Sequence, residues 1–97
     1  MSRNYELMVI LNPDVGPDDV PDRMSALGDL IRTHGGSVQE VIDWGRRRLA
    51  YPVDRHLEGH YILAQYTADA GEPNREVERA LRIDESVLRH LVVRQDD

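Results

Sequence analysis

The sequence predicts an α+β fold in the order β-α-β-β-α-β: a four-stranded antiparallel sheet with two helices on one face. Three observations carry this. Four stretches alternate or run apolar like strands, and two repeat their apolar residues at helical spacing. Glycine, proline and acidic clusters separate the stretches. The chain has 97 residues, 40% hydrophobic and 31% charged, which is one small domain with one core.

The first strand is Asn4 to Leu11. Tyr5, Leu7, Val9 and Leu11 share one face; Glu6, Met8 and Ile10 share the other. Both faces are mostly apolar, which predicts a central strand. Asn12, Pro13, Asp14 and Gly16 end it. The first helix runs from Pro17 or Asp18 to His34. Asp18, Asp19 and Asp22 suit the positive end of its dipole, and Pro17 suits its first position. Val20, Met24, Leu27, Leu30 and Ile31 form its buried stripe. Gly35 and Gly36 stop it with a left-handed cap.

The second strand spans Ser37 to about Val53 and is interrupted near Trp44 and Gly45. Val38, Val41 and Ile42 lie before the interruption; Leu49, Tyr51 and Val53 lie after it in shifted phase, which predicts a bulge at Gly45. Asp54 to Gly59 is expected as a turn and His60 to Ala68 as the third strand, with Tyr61, Ile62, Leu63 and Tyr66. A loop from Asp69 leads to a second helix, about Pro73 to Ile83, with Val77, Ala80 and Leu81 inward. Asp84 to Ser86 breaks it. Val87 to Arg94 is the last strand, and residues 95–97 form a polar tail. This is the ferredoxin-like plan, with one sheet face uncovered.

The formal net charge is −6, so total charge does not announce a nucleic-acid partner. All 12 basic residues are arginine, whose planar fork grips phosphate and stacks on bases. Without cysteine there is neither a disulfide nor a thiolate metal site. The longest apolar run, Leu7 to Leu11, is too short to span a membrane, and the N-terminus lacks a secretory layout. A cytoplasmic protein without a cofactor, membrane partner or small-molecule substrate is expected.

The sharpest feature is Trp44-Gly45-Arg46-Arg47-Arg48-Leu49-Ala50-Tyr51-Pro52. On a strand Arg46 and Arg48 share a face and Arg47 takes the other. Arginines beside a tryptophan and a tyrosine suit phosphate pairing with base stacking. The other reading is a solvated edge whose charges block aggregation. In an acidic chain the cluster favours RNA. Arg3, Arg89 and Arg94 extend the basic surface if the first and last strands are neighbours, though Arg94 reads as ordinary surface charge. Tyr5 is a core aromatic or a stacking platform.

His56 and His60 have a metal-binding spacing on a helix, but they flank a turn and lack a third ligand. Asp84 with Glu85 reads as turn chemistry, not as an acid–base pair. No glycine loop opens a helix to cradle phosphate, and no nucleophile elbow is present. No enzymatic site is expected.

Several separated motifs resemble the bacterial small-subunit ribosomal protein S-six family across essentially the whole chain. They are Arg3-Asn4-Tyr5-Glu6 with Val9-Ile10-Leu11-Asn12-Pro13, Gly35-Gly36-Ser37-Val38, the Trp44 to Pro52 run, Glu58-Gly59-His60-Tyr61, and Leu81 to His90. The resemblance implies the ferredoxin-like fold and a non-catalytic role. That role is joining the central domain of small-subunit rRNA as a pair with ribosomal protein S-eighteen. It implies RNA-binding or partner contacts at Arg46, Arg47 and Arg48, with Arg3, Tyr5 and Arg89 near the same surface. The partner would dock by strand addition to the edge of the second strand. The family usually has lysines after the Tyr-Pro pair, where Asp54-Arg55-His56 stands here. Two alternatives are a ferredoxin-like small-ligand regulatory domain and an engineered scaffold that keeps the fold without RNA binding. A third is a small enzyme with an open-sheet site. Salt-dependent RNA affinity separates the first reading from these.

Overall fold

The computed structural model describes residues 2–69 and 72–95. The elements are β1 (Ser2–Leu11), α1 (Val20–Thr33), β2 (Ser37–Val53), β3 (His56–Asp69), α2 (Glu72–Ile83) and β4 (Val87–Gln95). A 3₁₀ turn at Pro17–Asp19 precedes α1, so the expected start of the first helix divides into two pieces. The expected loop residues Ala70 and Gly71, and the tail beyond Gln95, lie outside the described residues.

The sheet order is β2-β3-β1-β4, and every pairing is antiparallel. β1 is central, as its two-sided apolar pattern requires. Its Tyr5, Leu7, Val9 and Leu11 join Ile62, Ala64, Tyr66 and Ala68 of β3 under the helices. Val20, Leu27 and Ile31 of α1 and Val77 and Leu81 of α2 close this core from above. Tyr5 and Tyr66 stack within it, with ring centroids 5.6 Å apart. The Tyr66 hydroxyl donates to Asn74 Oδ1 on α2, and burial pushes its pKa well above the usual tyrosine range, with Tyr5 and Glu78 adding to the rise.

Gly35 ends α1 at φ 94°, while Gly35 and Gly36 N–H groups donate to the Arg32 and Ile31 carbonyls at 3.1 and 2.9 Å.

The expected turn from Asp54 to Gly59 shrinks to two residues. Val53 pairs with His56, and Glu58 and Gly59 pair with Arg48 and Arg47 inside β3. Asp54 and Arg55 both take left-handed φ values, 48° and 71°, and so reverse the chain as a tight hairpin. No Asn-Gly signal marks this turn, so the period-two pattern alone underestimates the strand. Arginine in the left-handed region is strained. Arg55→Gly is expected to stabilise the fold by up to about 1 kcal/mol, read by chemical denaturation. Between Arg48 and Val53 the register slips again, and Pro52, which has no N–H to give, lies in the slip.

Candidate nucleic-acid interface

β2 is an edge strand, paired only on its β3 side, and its last third runs past the end of β1. The arginine run begins level with Leu11, the last residue of β1, at Arg46 and continues onto this projecting arm with Arg47 and Arg48. In the register Asp43 faces Ile62 and Gly45 faces Tyr61, so Trp44 is the extra residue of a bulge. Gly45 has φ 80°, which a residue with a side chain adopts only under strain. The bulge expected from the phase change is therefore at Trp44-Gly45. It changes the side to which the following residues point, and so sets the faces of the three arginines.

Arg46 pairs with His60, Arg47 with Gly59 and Arg48 with Glu58. His60 and Glu58 share a side with the helix-facing residue Ile62, so Arg46 and Arg48 point to the helix side of the arm. Arg47 points to the open face. This is the alternation expected from strand geometry. Arg46 Nη2 donates to the Pro13 carbonyl at 2.9 Å, tying the arm to the loop after β1. Its other guanidinium donors remain available to a phosphate. The Arg47 guanidinium lies over the Trp44 ring, 5.0 Å from the centroid, and its Nε donates to the Trp44 carbonyl at 3.3 Å. Stacking holds this planar cation flat and solvent-exposed on an open surface.

A second contact braces the bulge. Asp43 Oδ1 accepts the Gly45 N–H at 2.8 Å and lies 2.5 Å from His60 Nε2. Burial works to raise the Asp43 pKa, but the His60 hydrogen bond, the Gly45 N–H and the charge of His60 outweigh it and hold the carboxyl below its usual range. A depressed carboxylate stabilises the fold above its unfolded pKa of about 4, and the contribution fades as pH falls through the lower folded value. Asp43→Asn is expected to flatten acid unfolding in that window by a small amount, because the side chain is partly exposed. Urea denaturation at pH 3 and pH 6 checks this. The sequence offers His60 as half of a His56–His60 pair; only the register brings it to Asp43. Among the described residues no three His, Asp or Glu side chains gather as metal ligands.

The other expected residues separate. Arg89 pairs with Ile10 and so lies on the open face, in the row that continues through Tyr61 to Gly45. Three strand spacings of about 4.8 Å put its backbone roughly 14 Å from Gly45 on the same surface. Arg3 pairs with Ala68 on the helix side, eight residues along β1 from the level of His60, or roughly 27 Å away. β1 and β4 are neighbours, yet Arg94, opposite Tyr5, also falls at that far end. Tyr5 is 6% exposed with one ring face against Tyr66, so stacking a base would require opening the core. Its core reading is the one the geometry supports.

No helix among the described residues is long and apolar enough to cross a membrane.

The family described as Ribosomal protein S6 matches residues 4–94 of the chain. The small ribosomal subunit protein bS6 of Caldanaerobacter subterraneus subsp. tengcongensis is 37% identical over 95 residues, covering 98% of this chain and 99% of that protein. The bS6 of Mycolicibacterium paratuberculosis is 42% identical over 94 residues, covering 97% of each. The crystal structure of 30S ribosomal protein S6 from Thermotoga maritima superposes with a TM-score of 0.91 at 25% identity, covering 98% of this chain and 89% of that one. Matches of this length in sequence and in backbone agree with the motifs and the register described above: the chain belongs to the Ribosomal protein S6 family.

Proposed function

We propose that the chain is a structural constituent of the small ribosomal subunit that binds the central domain of its rRNA together with ribosomal protein S-eighteen. Members of the family are structural proteins and not enzymes. One observation carries the RNA part of the reading: Arg46, Arg47 and Arg48 splay to both sides of an edge strand that projects beyond the sheet, with Arg47 stacked on Trp44. Guanidinium groups on two sides of a narrow arm reach phosphates on both walls of an RNA groove or junction, and Trp44 adds a stacking surface. Arg89 extends the contact across the open face. Arg3 and Tyr5 stand apart from it. The outer edge of β2 offers backbone groups for an added strand, which is the proposed mode of partner docking.

The test is a titration of a central-domain rRNA fragment, with and without S-eighteen, at two salt concentrations. The reading expects tighter binding with the partner present and affinity that falls steeply with salt. No RNA binding under any of the four conditions would reject it and leave a fold kept without the function.

A further inference from the structure

The bulge at Trp44-Gly45 decides which side of the arm each arginine takes. Before it, Asp43 faces Ile62 across the ladder; after it, Arg46 faces His60. In an unbroken ladder Trp44 would face Tyr61, Arg46 would face Gly59 and Arg47 would face Glu58. Such a one-residue slip moves every later side chain to the other face. Arg47 would turn to the helix side, and Arg46 would leave the Pro13 carbonyl. The ladder itself does little to prevent the slip. Among the described residues β2 pairs on its β3 side only. Gly45, at φ 80°, adopts an ordinary strand conformation with equal ease. The pairing slips again between Arg48 and Val53, so the far end of the arm has slack to absorb one residue.

One side chain holds the bulge in place. Asp43 and His60 are diagonal neighbours on the helix side of the two strands. Asp43 Oδ1 accepts the Gly45 N–H at 2.8 Å and a hydrogen bond from His60 Nε2 at 2.5 Å. A carboxylate only accepts, so the imidazole donates. One oxygen thus ties the backbone just past the extra residue to a side chain of the neighbouring strand. A bond from an aspartate to the N–H two residues on needs the chain to turn there, and an extended ladder breaks it.

We propose that Asp43 is a positioning residue for RNA: it keeps the register that splays Arg46, Arg47 and Arg48 and stacks Arg47 on Trp44. The inference rests on the RNA reading above. Its sign is opposite to that of simple electrostatics. Asp43 is a carboxylate three residues from the run of guanidiniums, and removing a negative charge beside bound phosphate by itself tightens binding. Removing a brace loosens it. Two substitutions separate the effects. Asp43→Ala removes the charge and both hydrogen bonds. Asp43→Asn removes the charge and keeps an Oδ1 that accepts both.

Affinity for the central-domain rRNA fragment in the presence of S-eighteen is measured by fluorescence anisotropy for the parent and both variants. Near-UV circular dichroism of the free proteins reads the tryptophan band, which comes from Trp44 alone. Asp43 is exposed, so both variants are expected to fold, and far-UV circular dichroism checks this. The expected result for Asp43→Ala is binding weaker by roughly tenfold, with a diminished tryptophan band. Asp43→Asn should bind at least as tightly as the parent and keep the band. An alanine variant that binds as tightly as the parent overturns the inference. So does an asparagine variant as weak as the alanine one, and so does an unchanged band in Asp43→Ala. A parent chain that binds no RNA is a different failure: it rejects the proposed function itself, and this inference with it.

Discussion

Replacing Arg46, Arg47 and Arg48 together by alanine is expected to weaken rRNA binding by roughly a hundredfold. Each arginine-to-phosphate contact contributes about 1 kcal/mol net after desolvation, and three such contacts amount to about two decades of affinity. The salt dependence should change with it. Three lost phosphate contacts lower the slope of log affinity against log salt by about two to three. The fold should survive, because all three side chains are exposed and the change removes only the Arg46 tie to the Pro13 carbonyl and the Arg47 contacts with Trp44. A matched control removes the same kind of charge elsewhere. Arg75 and Arg79 are exposed on α2, which packs on the covered side of the sheet. Replacing both by alanine should change affinity and slope far less. Equal losses from the two variants would mean diffuse attraction and not a built site. Filter binding or fluorescence anisotropy reads the outcome.

Gly59→Val is expected to destabilise the fold by about 2–3 kcal/mol. A Cβ at Gly59 would lie 2.4 Å from Ile10 Cγ2 and 3.2 Å from the Leu11 carbonyl oxygen. The isoleucine methyl can swing aside; the carbonyl belongs to β1 and cannot without loosening the pairing. Gly59 also faces Arg47 in the register, so the same change disturbs the arm that presents the arginines. Gly45 makes an instructive contrast. A Cβ there meets nothing within 4 Å, but φ is 80°, so Gly45→Ala should cost about 1 kcal/mol from backbone strain alone. The two glycines are kept for different reasons, one for close approach and one for conformation. Urea denaturation separates them, and a Gly59→Val protein as stable as the parent would refute the packing argument.

Much of the fold is legible in the residues. The central position of β1 follows from its two apolar faces, and the left-handed stop of α1 follows from Gly35-Gly36. The bulge follows from the change of phase around Trp44-Gly45. The hairpin is less legible, because Arg55 stands where a tight turn normally has glycine and takes a conformation that its type disfavours. His56 to Gly59, rich in polar residues and glycine, reads as loop until the partner strand is known. The same limit holds for the site. Alternation along a strand predicts which arginines share a side, but register decides which other residues join them. Register brings Arg89 to the arm's face, sends Arg3 to the opposite side and far end, and sets Asp43 against His60. Tyr5 shows the ambiguity of an aromatic on a central strand, which burial resolves toward the core.

Trp44 is the chain's one tryptophan, and it lies under Arg47 at the centre of the proposed contact. Its fluorescence therefore reports this surface alone. The decisive measurement follows Trp44 emission during titration with the central-domain rRNA fragment in the presence of S-eighteen. The account predicts a saturable change in emission with the same midpoint as RNA binding measured by anisotropy. It also predicts that raising salt shifts both midpoints together. RNA that binds tightly while Trp44 emission stays constant would contradict it and place the interface on another face of the protein.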